Sequence, residues 1–203
     1  VHKLTLVEGN HEEKHRRFRN HLKTGSKNAD QMTGAEKMHE FTKKLSNNDI
    51  AFLDNAVLFL RIPEHNILVV HAGIPGNMLT FPVSNDVVQS MSNKERKYLH
   101  QVLRVRYIDK ATGRFQRLGA EQPDDPFWAE IYDGRFGHVV FGHQPFMDGA
   151  RIYKYATGID TGAVFGGLLT ALVLNNRTME RCLVSVASSK QFRRHLTIAA
   201  KLS

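Results

Sequence analysis

Three short apolar runs, far apart in the chain, each end in a loop that presents a nitrogen or amide-oxygen ligand. These segments are residues 6–12 (Leu-Val-Glu-Gly-Asn-His-Glu), 68–75 (Leu-Val-Val-His-Ala-Gly-Ile-Pro) and 139–145 (Val-Val-Phe-Gly-His-Gln-Pro). Short apolar runs that are closed by Gly or Pro predict buried β-strands. Strand ends are rigid and the loops after them can aim side chains, so the three segments predict an α/β fold whose strand ends converge on one point.

The composition is typical of one globular domain. The chain has 203 residues, of which 41% are hydrophobic and 24% charged. This is enough for a buried core, and a second full domain is not expected. No apolar stretch reaches the roughly 18 residues of a membrane-spanning helix, so no membrane partner is expected. A single cysteine, Cys182, argues against a disulfide framework, and on that ground we predict a reducing, cytoplasmic location.

The net charge of +8 favours anionic partners such as phosphoproteins, nucleotides or RNA. The excess is spread over residues 14–23, residues 94–117 and the tail from Lys190. Because it forms no single basic run, nucleic acid is expected only as a substrate. An ordinary solvated surface explains the same charge equally well. The sequence does not indicate an oligomeric state.

Local patterns predict a mixture of helices and hairpins. Capping boxes predict helices that begin at Thr33 and Ser92, because in each case a Glu follows three residues later. Hairpins are predicted over residues 57–71, 105–118 and 168–186, where apolar runs flank short polar turns. Helices mixed with hairpins that crowd toward the C-terminus indicate an α/β sandwich.

The candidate metal ligands are Asn10, His71 and His143, which are 61 and 72 residues apart. Such separations are too long for one helix or hairpin, so the fold itself must bring the three together. Imidazole and amide donors together are compatible with Mn, Fe or Zn. Any one of these histidines alone would more commonly be structural, whereas all three segments in this order are a much stronger signal.

The ordered motifs Gly-Asn-His-Glu, His-Ala-Gly and Gly-His-Gln-Pro resemble the second half of the calcineurin-like metallophosphoesterase signature. Residues 157–172 are also similar to the C-terminal loop and strand of bacterial-type Ser/Thr protein phosphatases and of bis(5'-nucleosyl)-tetraphosphatases. The resemblance covers residues 1–187 and implies the C-terminal part of a four-layer α/β/β/α sandwich. Residues 188–203 are predicted to be a basic tail that lacks fixed structure.

The resemblance also implies roles for individual residues. It places Asn10, His71 and His143 on one of two divalent ions (Mn, Fe or Zn), which activate a water molecule for in-line attack on phosphorus. It assigns His11 as the general acid that protonates the leaving oxygen, since an alkoxide leaves poorly near neutral pH. The alternative role for His11 is a structural hydrogen bond to phosphate or a carboxylate.

Phosphate oxygens also need fixed positive charge, which a guanidinium supplies in bidentate geometry. Arg106 or Arg104, in the segment Leu-Arg-Val-Arg-Tyr, is predicted to bind phosphate. Asp160, in an Asp-Thr-Gly turn, is predicted to brace the loop beside the metals. The expected substrates are phosphoserine or phosphothreonine proteins, or dinucleoside polyphosphates and capped RNA, and the 157–172 segment fits both branches.

The first half of the signature is absent. Neither Asp-x-His nor Gly-Asp-x-x-Asp occurs in the 203 residues, and the resemblance implies that these motifs supply the other metal's ligands and the bridging carboxylate. We therefore expect an N-terminally truncated chain in which one metal site is incomplete and which is inactive alone. The alternative is a phosphoesterase-fold protein without catalysis that acts as a binding or scaffold module.

Overall fold

A five-stranded mixed sheet lies at the centre of the computed structural model, which describes residues 4–189. Its spatial order is β1-β2-β3-β5-β4, with β2, β3 and β5 parallel and the two edge strands antiparallel to them. A separate antiparallel hairpin is formed by two seven-residue strands near the C-terminus. The strands are β1 (Phe59–Ile62), β2 (Ile67–Val70), β3 (His138–Phe141), β4 (Arg151–Ile152), β5 (Ala156–Gly158), β6 (Leu168–Leu174) and β7 (Arg181–Ala187).

The parallel pairing of β2 and β3 positions the candidate site. Both strands are short and mostly apolar, Ile-Leu-Val-Val in β2 and His-Val-Val-Phe in β3, which is typical of central strands covered on both faces. Their register pairs Leu68 with Val139 and Val69 with Val140. Because parallel strands end at the same edge of a sheet, the loops that follow β2 and β3 emerge side by side.

Residues 4–189 form seven α-helices in addition to the sheets. The first four follow one another between residues 10 and 54, and α1 packs against α2, α3 and α4. Within this group Phe18 is fully buried, and Arg19 makes an ion pair with Asp54 at 2.5 Å. The helices are α1 (Asn10–Lys23), α2 (Asn28–Gln31), α3 (Ala35–Lys43), α4 (Asn47–Asp54), α5 (Asn85–Ser90), α6 (Asn93–Leu99) and α7 (Trp128–Ile131). Within residues 4–189, no helix is both long and apolar enough to cross a membrane.

Several local predictions are confirmed and others are wrong. The β1–β2 and β6–β7 hairpins form as predicted, and Ser92 caps α6 through the amide of Glu95. The predicted Thr33 cap is wrong, since α3 begins after Gly34, whose left-handed backbone turns the chain into the helix. The predicted 105–118 hairpin forms only near its turn, where Ile108 bridges to Phe115 and the amide of Gln116 donates to the carbonyl of Tyr107 at 2.8 Å. The extent of the domain stays a prediction, and residues 190–203 of the predicted tail lie outside the described residues.

Close packing of Trp128 on Gly73 gives a stability prediction. Trp128 is 1% exposed, and a Cβ added at Gly73 would lie 2.2 Å from its indole ring. Replacing Gly73 with alanine is therefore expected to destabilise the fold by about 1–3 kcal/mol, the range for overpacking a filled core. Chemical denaturation of both proteins measures the difference. Gly142→Ala is the matched control, since its Cβ would meet only ordinary contacts at 3.6 Å; equal stability of the two variants would contradict the prediction.

Candidate metal centre

The three predicted ligands converge at one end of the central sheet. His71 directly follows β2, His143 follows β3 after Gly142, and Asn10 is the first residue of α1. The amide of Gly142 donates to the carbonyl of His71 at 2.9 Å, which fixes the two loops against each other. The structure therefore brings together an amide and two imidazoles that are far apart in sequence.

The distances within this group fit ligands of a single ion. His71 Nε2 lies 2.9 Å from Asn10 Oδ1 and 3.1 Å from His143 Nδ1. Neighbouring ligands at about 2.1 Å from an octahedral ion lie about 3.0 Å apart. One imidazole nitrogen that faces both an amide oxygen and a second imidazole nitrogen is the arrangement expected of side chains that share a cation.

The backbone of His143 is in the left-handed region, with φ of 68°. Non-glycine residues rarely adopt this conformation, and where they do the cause is commonly a functional constraint. Arg106 Nη2 donates to the His143 carbonyl at 3.1 Å, which helps to hold this conformation. The turn thus directs the imidazole of His143 back toward His71.

Gly9 allows α1 to begin close to the ligands. A Cβ at this position would lie 2.8 Å from His71 Cε1 and 2.4 Å from the carboxylate of Glu12. The amide of Gly9 donates to that carboxylate at 3.1 Å, which satisfies a free donor at the helix start. Glycine is therefore the residue that lets Asn10 approach His71.

Burial keeps both histidines neutral. It is the largest cause that lowers the pKa of His71, and it lowers the pKa of His143 to about 3, with the charge of Arg106 as the next cause. A neutral imidazole has a free lone pair, so neither side chain must release a proton at neutral pH before it binds a cation.

The donor set fits one ion but not two. Two imidazoles and an amide suit Mn, Fe or Zn with open positions for other ligands. Among residues 4–189 there is no group of three or more His, Cys, Asp or Glu side chains that could hold a metal. The described residues thus offer three donor atoms at this point, from Asn10, His71 and His143.

The other predicted site residues lie around this group. His11 is exposed in the first turn of α1, beside Asn10. The Nε of Arg106 is buried and has no hydrogen-bond partner among the described residues, whereas Arg104 Nη2 donates to Glu13 at 2.6 Å. The roles assigned to these residues stay predictions.

Asp160 lies in the wall of a cleft of about 310 Å³ that His71 and His143 also line. Its carboxylate accepts from the amide of Gly162 at 3.1 Å, and its carbonyl accepts from the amide of Phe146 at 2.8 Å. The side chain therefore turns its own loop while it faces the site. The cleft is lined by His71, His143, Asp160 and several apolar or small residues, including Val7, Val69, Val140, Ile159 and Thr170.

The sequence analysis did not predict that Glu13 is a buried residue near the candidate site. It is 8% exposed, although it is a charged residue on a strongly charged helix. Its position two residues after His11 is the only sequence signal, and that signal does not distinguish it from the solvated Glu residues that are common on such helices.

Comparison with known proteins identifies the fold and the superfamily of the chain. No family model matches the chain. A solved structure described as a proposed diadenosine tetraphosphatase superimposes with a TM-score of 0.61 over 91% of this chain and 68% of that one, at 23% identity. It shares the fold, and the predicted α/β fold of the metallophosphoesterase type is confirmed. The chain belongs to the metallophosphoesterase superfamily.

Within that superfamily the chain is similar to proteins named bis(5'-nucleosyl)-tetraphosphatase PrpE [asymmetrical]. The relative from Oceanobacillus iheyensis is 32% identical over 190 residues, which are 92% of this chain and 66% of the relative. The relative from Bacillus thuringiensis is 34% identical over 143 residues, 70% of this chain and 48% of the relative. The chain thus spans about two thirds of the length of the first relative and about half of the second.

Proposed function

We propose that this protein is part of a metal-dependent phosphoesterase that hydrolyses a phosphoanhydride bond of dinucleoside polyphosphates. The observation that carries the proposal is the convergence of Asn10, His71 and His143, with donor atoms 2.9 and 3.1 Å apart. The names of the similar proteins support a dinucleoside polyphosphate, rather than a phosphoprotein, as the substrate. The net charge of +8 favours approach of such an anionic molecule.

Each residue of the site has a chemical task in this proposal. The two histidines and Asn10 would hold one divalent ion, Mn, Fe or Zn, which supplies Lewis-acid activation of water and phosphate when bound. His11, exposed at the start of α1, donates a proton to the leaving oxygen. Arg106 binds a phosphate oxygen, because its Nε has no partner within residues 4–189 while its Nη2 is anchored on the His143 carbonyl.

We further propose that ligands for a second ion come from residues of the whole protein that are not among these 203. The relatives extend beyond the matched region by a third or more of their length. One face of the β6–β7 hairpin is apolar and open to solvent, with Leu169, Val173, Val184 and Val186 each 46–63% exposed. An apolar face of this size favours cover by another layer of protein.

A substrate panel on the whole protein tests the proposal. Bis(5'-adenosyl) tetraphosphate, a phosphoserine peptide and a capped RNA are incubated with Mn, Fe, Zn or Mg, and the products are separated by chromatography. We expect the dinucleotide to be preferred by about 10-fold or more in kcat/KM. We expect unequal products, a nucleoside monophosphate and a triphosphate, since the relatives are named asymmetrical.

The His71→Ala variant is the negative control for contaminating phosphatases. A preference for the phosphoserine peptide would contradict the proposed substrate and indicate a protein phosphatase instead. Binding of the dinucleotide without hydrolysis under any of the four metals would reject catalysis and support the alternative, a phosphoesterase-fold binding module.

A further inference from the structure

We propose that the ion pair between Glu13 and Arg104 is a positioning element of the metal site. It holds the start of α1 against the segment that carries Arg106. This inference rests on the proposed function, because the groups that it positions are Asn10 and His11 on one side and the phosphate-binding arginine on the other.

Glu13 is a buried carboxylate that needs a partner. It lies one helical turn after Asn10 and is 8% exposed. An unpaired carboxylate in such surroundings is strongly unfavourable. Arg104 Nη2 lies 2.6 Å from Glu13 Oε2, whereas Arg17 stands 3.9 Å from the other oxygen with a side chain that is 54% exposed. Arg104 is therefore the main partner of Glu13.

Arg104 belongs to a segment that is fixed in the core. Three of its neighbours, Val102, Leu103 and Val105, are fully buried. The carbonyl of Val102 accepts from the amides of Ala72 at 2.9 Å and Gly73 at 3.3 Å, immediately after the ligand at the end of β2. The guanidinium that faces α1 is thus attached to the same rigid strand end as His71.

This pair is also the main charged contact between two parts of the chain. Of the ion pairs formed within residues 4–189, it alone joins the first 55 residues to the rest. The other close pairs of α1, those of Arg16 and Arg19, are made with Glu8 and Asp54 and stay within the first part. Two other contacts join the helix start to the rest of the chain, the β-bridge between Val7 and Val57 and the contact of Asn10 with His71.

Because Arg104 is paired with Glu13, it has a different role from Arg106. Arg104 uses its Nη2 on a buried carboxylate, while Arg106 has a buried Nε without a partner in the described part of the chain. A guanidinium already paired at 2.6 Å gives up a strong contact if it turns to substrate. The geometry therefore assigns phosphate binding to Arg106 and positioning to Arg104.

The test uses Glu13→Gln, Arg104→Met and the double variant in the whole protein. Loss of an outer contact that orients metal ligands costs about 10–100-fold in metal affinity or activity. We expect each single variant to lower kcat by this factor with little change in KM, and to lower the affinity for Mn²⁺, measured by competition with a chromophoric chelator. The double variant is expected to be no worse than the more severe single variant, because the same pair is lost.

Glu8→Gln is the matched control. Glu8 is also buried, at 5% exposure, and is paired with an arginine, but that pair lies within the first part of the chain. We expect its kcat and Mn²⁺ affinity to stay within about twofold of the parent, because the Glu8–Arg16 pair does not join α1 to the segment that carries Arg104 and Arg106. If Arg104→Met does not fold, Arg104→Lys, which keeps one positive charge, replaces it. A milder loss of kcat and Mn²⁺ affinity in Arg104→Lys then supports the proposal, whereas values equal to those of the parent overturn it.

Three results would overturn the positioning role. The first is a loss of kcat and Mn²⁺ affinity in Glu8→Gln as large as that in Glu13→Gln. The second is a double variant whose loss equals the product of the two single losses. The third is a raised KM with unchanged kcat in Arg104→Met, which would show that Arg104 contacts substrate. If the parent protein hydrolyses none of the phosphate compounds, the proposed function fails on its own. The Mn²⁺ affinity of Glu13→Gln, compared with Glu8→Gln, then still decides whether the pair positions the ligands.

Discussion

Replacing His11 with alanine in the whole protein is expected to lower turnover by about 10²–10⁴-fold on a phosphoester with an alcohol leaving group. The imidazole is exposed next to Asn10, a predicted metal ligand. In the proposed function it would donate a proton to the oxygen that departs from phosphorus. Without its proton an alkoxide must leave, which is very unfavourable near neutral pH. On a dinucleoside polyphosphate the loss should lie near the lower end of this range, because a leaving phosphate needs the proton less.

The dependence on the leaving group distinguishes general acid catalysis from a structural role. With a nitrophenyl ester, whose leaving group is stable as an anion, the His11→Ala variant should approach the parent rate. His21→Ala, on the last turn of the same helix, controls for loss of an imidazole from α1. Equal losses of kcat for good and poor leaving groups would show instead that His11 makes a structural hydrogen bond.

The convergence of the ligands could be anticipated from sequence because it depends on strand order more than on detail. Apolar runs that end in His71 and Gly142 predict two central strands, and parallel pairing then places their ends at one edge. The β1–β2 and β6–β7 hairpins were predictable for a similar reason, since turn residues and apolar runs are local signals. Asn10 joins the group because α1 begins directly at the glycine that follows a bridged segment.

The choice between Arg104 and Arg106 could not be made from sequence, because the two residues have the same chemistry two positions apart. It depends on a carboxylate 91 residues away, at Glu13, and on a carbonyl at His143. The left-handed backbone of His143 is likewise set by tertiary contacts, since nothing in Gly-His-Gln-Pro requires it. The hairpin at residues 105–118 is likewise modified by a tertiary contact: Tyr107 keeps its local partner Gln116 and also bridges to the distant residue Phe127.

The predicted metal ligands and the two arginines are held in place by different parts of the fold. The predicted ligands lie on rigid strand ends and on a helix start, so their spacing is set by the sheet and by the close approach that Gly9 permits. The arginines lie on a buried connecting segment that touches both parts of the chain. Metal binding and substrate orientation would then depend on different contacts, and variants of each should differ in which of kcat, KM and metal affinity they change.

His71→Ala or His143→Ala is expected to lower the affinity for Mn²⁺ or Zn²⁺ by more than about 100-fold, beyond the loss caused by an outer contact. Each change removes one of three donors whose spacing fits a single ion. Elemental analysis of the purified proteins should show about one ion fewer per chain than in the parent. His138→Ala is the matched control, since this half-buried histidine also has a lowered pKa but lies at the opposite end of β3, bonded to Thr157.

The lowered pKa values of the two ligands predict how this affinity depends on pH. An ordinary imidazole is half protonated near its pKa of about 6.5, so a site made from such groups loses affinity as the pH falls below that value. In the folded protein burial lowers the pKa of His71, and that of His143 is lowered to about 3. Protons therefore do not compete with the metal at these residues, and affinity should be nearly flat between about pH 8 and about pH 6. The contrary result is an affinity ten times weaker at pH 6 than at pH 8 in the parent, with no such change in the two alanine variants. It would show that the histidines are protonated in this pH range and that the site is less buried than its geometry indicates.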